Sequence, residues 1–215
     1  MSKINGVIFD LDGVILSTDN YHYLAWKQLA DREGIYFDRQ INERLRGVSR
    51  MESLEIILER AEKEYTEEQK KEMAEFKNNI YRESLKDLTA GEIFAGVMDF
   101  ISFLQDRGIA IAIGSSSKNT KFILRQTGLD SIFGDAVSDG TSISNSKPDP
   151  EVFLKAADMI AVPPEECLVI EDAEAGIEAA NNGNMLSLGV GPMKDCEMAD
   201  YHAEDIQAID RSIFS

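Results

Sequence analysis

The sequence predicts an α/β protein: a doubly wound parallel sheet with a helical segment inserted near its start. Three observations lead there. Four short apolar runs are followed by Asp, Gly, Ser or Pro, helical patterns separate the last three, and about seventy residues after the first run carry helix signals alone. Near-continuous apolar strands are buried on both faces, as in a parallel sheet, and alternation of strand and helix is how such a sheet is wound.

The predicted strands are Gly6–Asp10, Gly108–Gly114, Glu166–Glu171 and Met185–Val190, with a weaker one at Asp135–Ser138. Before the second, Val97, Phe100, Ile101 and Leu104 recur at helical spacing. Asp149-Pro150 offers an N-cap followed by a first-position proline ahead of Val152-Phe153-Leu154. In the inserted stretch, Ser49-Arg50-Met51-Glu52 and Thr66-Glu67-Glu68-Gln69 fit the capping box, and Leu54, Ile57, Leu58 and Ala61 share one helix face. Met51, Met73 and Met98 are expected as core fillers. These elements give a Rossmann-like core, residues 1–15 and 90–215, and an α-helical insert, residues 16–89.

Composition narrows the function. The 215 residues carry 39 acidic and 22 basic side chains, a formal charge of -17, with an isoelectric point near 4.5. That balance disfavours nucleic acid or an anionic membrane as partner, since both need basic faces. The longest apolar runs fall short of a bilayer span, and the first residues lack the apolar stretch of a signal peptide. Two cysteines, Cys167 and Cys196, make no disulfide framework, so a cytoplasmic protein is expected; a monomer is expected as well.

Chemistry-bearing residues gather at strand ends, where open α/β sheets bind ligands. The first strand ends Phe9-Asp10-Leu11-Asp12-Gly13. Residues two apart on extended chain face the same side, and two crowded carboxylates call for a cation or a shared proton. An ordinary Asp-capped turn is the plain alternative. Glu171-Asp172 closes a second strand; alone it would read as the acidic first turn of the next helix. Together the two acidic pairs read as an oxygen-rich site for a hard cation such as Mg²⁺. Ser115-Ser116-Ser117-Lys118-Asn119 joins hydroxyls, amides and a lysine at a helix start, an anion pocket or simply a Ser-rich cap. Lys147 sits in the turn Ser146-Lys147-Pro148.

Asp10-Leu11-Asp12-Gly13-Val14, Ser115, Lys147-Pro148 and Glu171-Asp172, in that order, resemble the four motifs of the haloacid dehalogenase superfamily, and the resemblance covers the whole core. Within the insert, Thr18, Tyr21-His22, Ala25-Trp26-Lys27, Asp38-Arg39-Gln40, Asn42-Glu43, Arg46-Gly47-Val48-Ser49-Arg50 and Lys77-Asn78 resemble the cap domain of the β-phosphoglucomutase family, and Ser115-Ser116-Ser117-Lys118-Asn119 in the core resembles that family too. The sequence departs from the pattern at Ser17, where an acid is usual, at Ala173, where a small hydroxyl residue is usual, and at Ala95, where proline is usual.

The resemblance implies an Mg²⁺-dependent isomerase. Asp10 would be the nucleophile that becomes an aspartyl phosphate, Asp12 the acid and base, with a pKa expected to be raised, and Ser115 and Lys147 the grip on the transferring phosphoryl group. The metal ligands implied are Asp10, Asp12, Glu171 and Asp172. Substrate would be held by Thr18, His22, Trp26, Arg46, Gly47, Arg50 and Lys77 from the insert and by Ser116, Ser117, Lys118 and Asn119 from the core. The substrate implied is a hexose phosphate and its bisphosphate: β-glucose 1-phosphate and glucose 6-phosphate exchanged through β-glucose 1,6-bisphosphate. Two rivals remain, a sugar-phosphate phosphatase and a non-catalytic sugar-phosphate sensor. Plain readings also stand for the insert: His22 and Trp26 as helix packing, and Arg39, Arg44, Arg46 and Arg50 as a solvated face.

Divided at these boundaries, the core carries 23 acidic and 9 basic residues and the insert 16 and 13, while Arg39 to Arg50 has four Arg against one Glu. The acidity lies mostly on the core. Phosphate affinity must therefore be local, because charge is screened beyond roughly 8–10 Å.

Overall fold

A computed structural model describes residues 3–45 and 48–215. The chain runs β1 (Gly6–Phe9), α1 (Asp19–Glu33), α2 (Arg39–Glu43), α3 (Arg50–Leu58), α4 (Glu67–Ser84), α5 (Val97–Asp106), β2 (Ala110–Gly114), α6 (Thr120–Thr127), α7 (Asp130–Phe133), β3 (Val137–Ser138), α8 (Glu151–Met159), β4 (Cys167–Glu171), α9 (Glu174–Asn182), β5 (Leu186–Gly189) and β6 (Tyr201–His202). It divides into two compact units, residues 1–17 with 89–215, and residues 18–88.

In the first unit, the described strands form one parallel sheet in the order β3-β2-β1-β4-β5-β6. The expected doubly wound α/β fold is what forms. The chain winds outward from β1 on both sides, so the crevice at the carboxyl ends of β1 and β4 is the topological switch point. Strands β1 and β4 are buried throughout, which is why their sequences run apolar without alternation. Ile8, Ala112 and Val169 of the sheet pack with Val152, Phe153 and Ala156 of α8 and with Ala179 and Ala180 of α9. Full burial of one side chain such as Phe153 stabilises by about 1.5–3 kcal/mol.

The helix α5 buries Val97, Phe100, Ile101 and Leu104, the stripe its spacing predicts. Helix α8 begins one residue later than expected. Pro150 occupies the capping position, and Asp149 supplies the capping bond by accepting the Glu151 N–H at 2.9 Å. The two-residue strand β6 has no counterpart in the sequence reading.

The second unit is helical. Both expected capping boxes form: Ser49 with Glu52, and Thr66 with Gln69, each exchanging two hydrogen bonds. Leu54 and Ile57 are buried in a core with Trp26, Leu29, Phe37 and Met73, and Leu58 and Ala61 pack on its margin. The methionine expectation holds only in part. Met73 is in that core, but Met51 and Met98 are exposed at 36% and 43%, because Met98 lies off the buried stripe of α5 and Met51 in the first turn of α3.

Candidate active site

Asp10 follows β1 directly and is buried, 7% exposed. Its N–H donates to the Ile170 carbonyl at 3.0 Å, so pairing with the chain of β4 runs into the site itself. The chain then turns sharply: the Gly13 N–H reaches the Leu16 carbonyl at 2.7 Å and Ile15 reaches Leu11 at 3.0 Å. Gly13 makes this turn at φ +89°, a conformation that L side chains rarely adopt. A Cβ on Gly13 would stand 1.9 Å from Asp172 Oδ2. The Asp172 carboxylate therefore lies against the loop that begins with Asp10, and Asp12 is half-buried in the same loop.

Lys147 ties this loop to β4. Its Nζ is 2.5 Å from Asp10 Oδ1 and 2.5 Å from Glu171 Oε1, with side chains only 3%, 10% and 1% exposed. Burial alone would lower the Lys147 pKa, but the two carboxylates outweigh it and hold the ammonium above its ordinary value. Burial pushes Glu171 upward; Lys147 opposes that shift and the Asp10 charge adds to it. The other Glu171 oxygen accepts the Asp172 and Ala173 N–H groups at 2.9 and 3.0 Å. A side chain at Gly176 would meet Glu171 Oε1 at 1.9 Å, so the first turn of α9 carries a glycine where this carboxylate is seated. Glu171 thus closes the start of α9 and carries a buried ion pair.

The loop after β2 holds the remaining core residues. Ser115 is buried, and its Oγ accepts the Ser117 N–H at 3.3 Å. Ser117 Oγ accepts the Asn119 N–H at 3.2 Å. Lys118 is exposed, Asn119 is buried, and the Ser116 hydroxyl is buried without a hydrogen-bond partner.

In the helical unit, Lys77 is 2% exposed and bonds His22 Nδ1 at 2.7 Å. The Lys77 ammonium lies 4.6 Å from the Trp26 ring centroid and 4.8 Å from that of Tyr81, cation–π range for both. The Tyr81 ring lies against His22, tilted by 34° with centroids 4.0 Å apart, and its hydroxyl donates to Thr18 Oγ1 at 2.9 Å. Burial, then the charges of Lys77 and Arg50, hold the His22 pKa well below its ordinary value, so the ring is neutral at pH 7. Arg50 is half-buried and its pKa is lowered by burial. The neighbouring arginines are engaged otherwise: Arg44 forks onto Glu59 with two 2.7 Å bonds, and Arg39 bonds Asn20 and covers the Tyr23 ring. Arg46 and Gly47 lie outside the described residues.

A model of the haloacid dehalogenase-like hydrolases matches residues 4–184. The chain belongs to that family. It is 42% identical over 94% of its length to a β-phosphoglucomutase of Bacillus subtilis, covering 92% of that protein. A phosphorylated carbohydrates phosphatase of Thermotoga maritima is 31% identical, with 85% of this chain and 82% of that one covered. Among solved structures, a β-phosphoglucomutase from Clostridium difficile superposes with a TM-score of 0.90 at 40% identity, over 97% of this chain and 94% of that one.

Within this family member, a metal would have to be held by few side chains. Among the described residues no three His, Cys, Asp or Glu side chains converge as a ready cage. A cation of the Mg²⁺ type needs none, because it is bound by one or two carboxylates and completes its shell with water and phosphate oxygens. The carboxylates of Asp10 and Asp172, with the Asp12 carbonyl between them in sequence, have that donor chemistry. The sequence reading missed Tyr81, which the four-residue spacing from Lys77 on α4 would have shown, and the dual service of Glu171, which no local pattern encodes.

Proposed function

We propose that the protein is a β-phosphoglucomutase, exchanging β-glucose 1-phosphate and glucose 6-phosphate through a phosphorylated Asp10. The observation that carries this reading is the buried Asp10–Lys147–Glu171 link at the switch point. It sets the Lys147 ammonium directly beside the Asp10 carboxylate, a cation placed where a transferring phosphoryl group gathers charge. The choice of mutase over phosphatase is supported by the near full-length likeness to the two mutases.

The Asp10 and Asp172 carboxylates and the Asp12 carbonyl would hold Mg²⁺, with Glu171 supporting. When bound, the metal offsets the repulsion between a carboxylate and a phosphate dianion. Asp12 takes the proton from the sugar 6-hydroxyl as that oxygen attacks the phosphorus of phosphorylated Asp10. The P–O bond to Asp10 breaks and β-glucose 1,6-bisphosphate forms. After the bisphosphate turns over, Asp10 attacks the 1-phosphate, Asp12 returns its proton to the leaving sugar oxygen, and glucose 6-phosphate departs. Ser115 and Lys147 hold the phosphoryl group in transit. Ser117, Lys118 and Asn119 of the core and Arg50 of the helical unit are the candidates for the other phosphate, for which a guanidinium offers a forked contact that lysine does not. Residues 18–88 act as the cap domain, His22 and Lys77 address the sugar, and Thr18 and Trp26 keep that pair in place. The substrates are small hexose phosphates, and the protein works as a cytoplasmic monomer.

The test supplies β-glucose 1-phosphate with catalytic bisphosphate and Mg²⁺ and follows glucose 6-phosphate against free phosphate. Glucose 6-phosphate should dominate. Predominant phosphate release would withdraw the mutase in favour of a phosphatase, and a rate unchanged by Asp10→Asn would leave only a sensor.

A further inference from the structure

The turn that follows β3, residues 139–142, takes no part in the chemistry above, yet it is built as a support. Asp139 is 1% exposed. Its Oδ1 accepts the Thr141 N–H at 2.9 Å and the Thr141 hydroxyl at 2.5 Å. Ser142 closes the turn from the other side, its hydroxyl accepting the Asp139 N–H at 3.1 Å and donating to the Asp139 carbonyl at 2.8 Å. Four side-chain hydrogen bonds thus fix a turn of four residues.

That turn is pressed against the backbone of Ser116–Lys118. The Gly140 N–H donates to the Ser117 carbonyl at 3.2 Å. A Cβ on Gly140 would stand 2.2 Å from the Ser116 carbonyl oxygen and 3.0 Å from the Lys118 nitrogen. Both of these are main-chain atoms, which cannot rotate away as a side chain can. One residue before the turn, the Ser138 carbonyl accepts the Ser115 N–H at 3.0 Å. Further along, Glu151 of α8 accepts the N–H groups of Ser144 and Asn145 at 2.9 and 2.8 Å, and the segment ends at Lys147. One anchored stretch, residues 138–147, therefore touches both the loop assigned to the second phosphate and the lysine assigned to the phosphoryl group in transit.

We propose that Gly140, held by Asp139 and Thr141, is a positioning residue for the second-phosphate loop: its missing side chain lets the two loops share a backbone contact that sets where Ser117, Lys118 and Asn119 stand. This inference rests on the proposed assignment of that loop. Its consequence is selective. A substrate with a second phosphate depends on the loop, whereas acetyl phosphate, which passes its only phosphoryl group to Asp10 as acetate leaves, does not.

The experiment compares Gly140→Ala with the unaltered protein on two donors in Mg²⁺: β-glucose 1,6-bisphosphate and acetyl phosphate. The bisphosphate KM should rise about tenfold or more, since misplacement near 1 Å costs up to roughly a hundredfold. Acetyl phosphate turnover should stay within about twofold. Equal loss on both donors, or an unchanged bisphosphate KM, overturns the proposal. Thr141→Ala, which removes one exposed-side hydrogen bond and leaves Gly140 in place, should move the bisphosphate KM in the same direction by a smaller factor. Should Gly140→Ala not fold, an unmoved KM in Thr141→Ala overturns it. If the unaltered protein releases free phosphate from β-glucose 1-phosphate, the mutase reading falls, but the contrast between the two donors still decides this one.

Discussion

Replacing Lys147 by alanine separates what the buried ion pair does for the fold from what it does for the reaction. The side chain is 3% exposed and lies between carboxylates that are 10% and 1% exposed. Removing one member of such a pair strands the others, at a typical cost of about 3–5 kcal/mol. The loss should grow as pH rises. Glu171, already pushed up by burial and by the Asp10 charge, would keep its proton in the folded Lys147→Ala variant more readily than when unfolded. The folded state then binds more protons, so stability falls as pH climbs through the raised folded pKa. Catalysis should fall by about 10²–10³, the usual effect of losing one group aimed at developing charge. A second substitution, Glu171→Gln, removes the stranded charge while keeping an oxygen for the Asp172 and Ala173 N–H groups. Urea unfolding midpoints at pH 5 and 8, with mutase rates alongside, make the assay. Lys147→Ala/Glu171→Gln should recover most of the stability and none of the rate. Recovery of the rate as well would show that Lys147 serves the fold alone, and a single-variant loss under about 1 kcal/mol would refute the reasoning on buried charge.

Two further outcomes are expected. Because His22 is held neutral in the folded protein, it contributes stability that is present above its unfolded pKa of about 6.5 and is lost as pH falls below it; His22→Gln should flatten the fall in melting temperature between pH 7.5 and 5, and an unchanged slope would contradict the assignment. In Gly13→Ala, strain at φ +89° and the 1.9 Å approach to Asp172 should displace that carboxylate; the Mg²⁺ concentration for half-maximal acetyl phosphate turnover should rise about tenfold, equivalent to about 1.4 kcal/mol, and titration after EDTA treatment reads it.

The strands and capping boxes were legible because they depend on neighbours in sequence. Apolar runs marked β1, β2, β4 and β5 to within two residues, and Ser49 and Thr66 announced their helices through residues three positions on. Strand β6, two residues long, is too short for any period to register. In the candidate site, residue types at strand ends suggested which carboxylates to watch. Nothing in their spacing could say that Lys147 reaches Asp10 across 137 residues of chain, or that Asp172 lies over Gly13. Gly140 was invisible for the same reason: its importance lies in the backbone of a different loop. Tyr81, by contrast, is legible in the sequence, since it lies one helical turn beyond Lys77 on α4.

The two outer strands of the sheet, β3 and β6, are each two residues long. An exposed strand edge is a template on which other chains can add, and natural sheets limit that hazard by keeping border strands short. Here both borders are cut to about one pleat, while the long, continuously apolar β1 and β4 sit in the middle, paired on each side. A surface with a formal charge of -17 adds repulsion between copies. The segments best suited to aggregate are thereby confined to the interior, and the protein can be concentrated in its folded state with little risk of edge-to-edge growth.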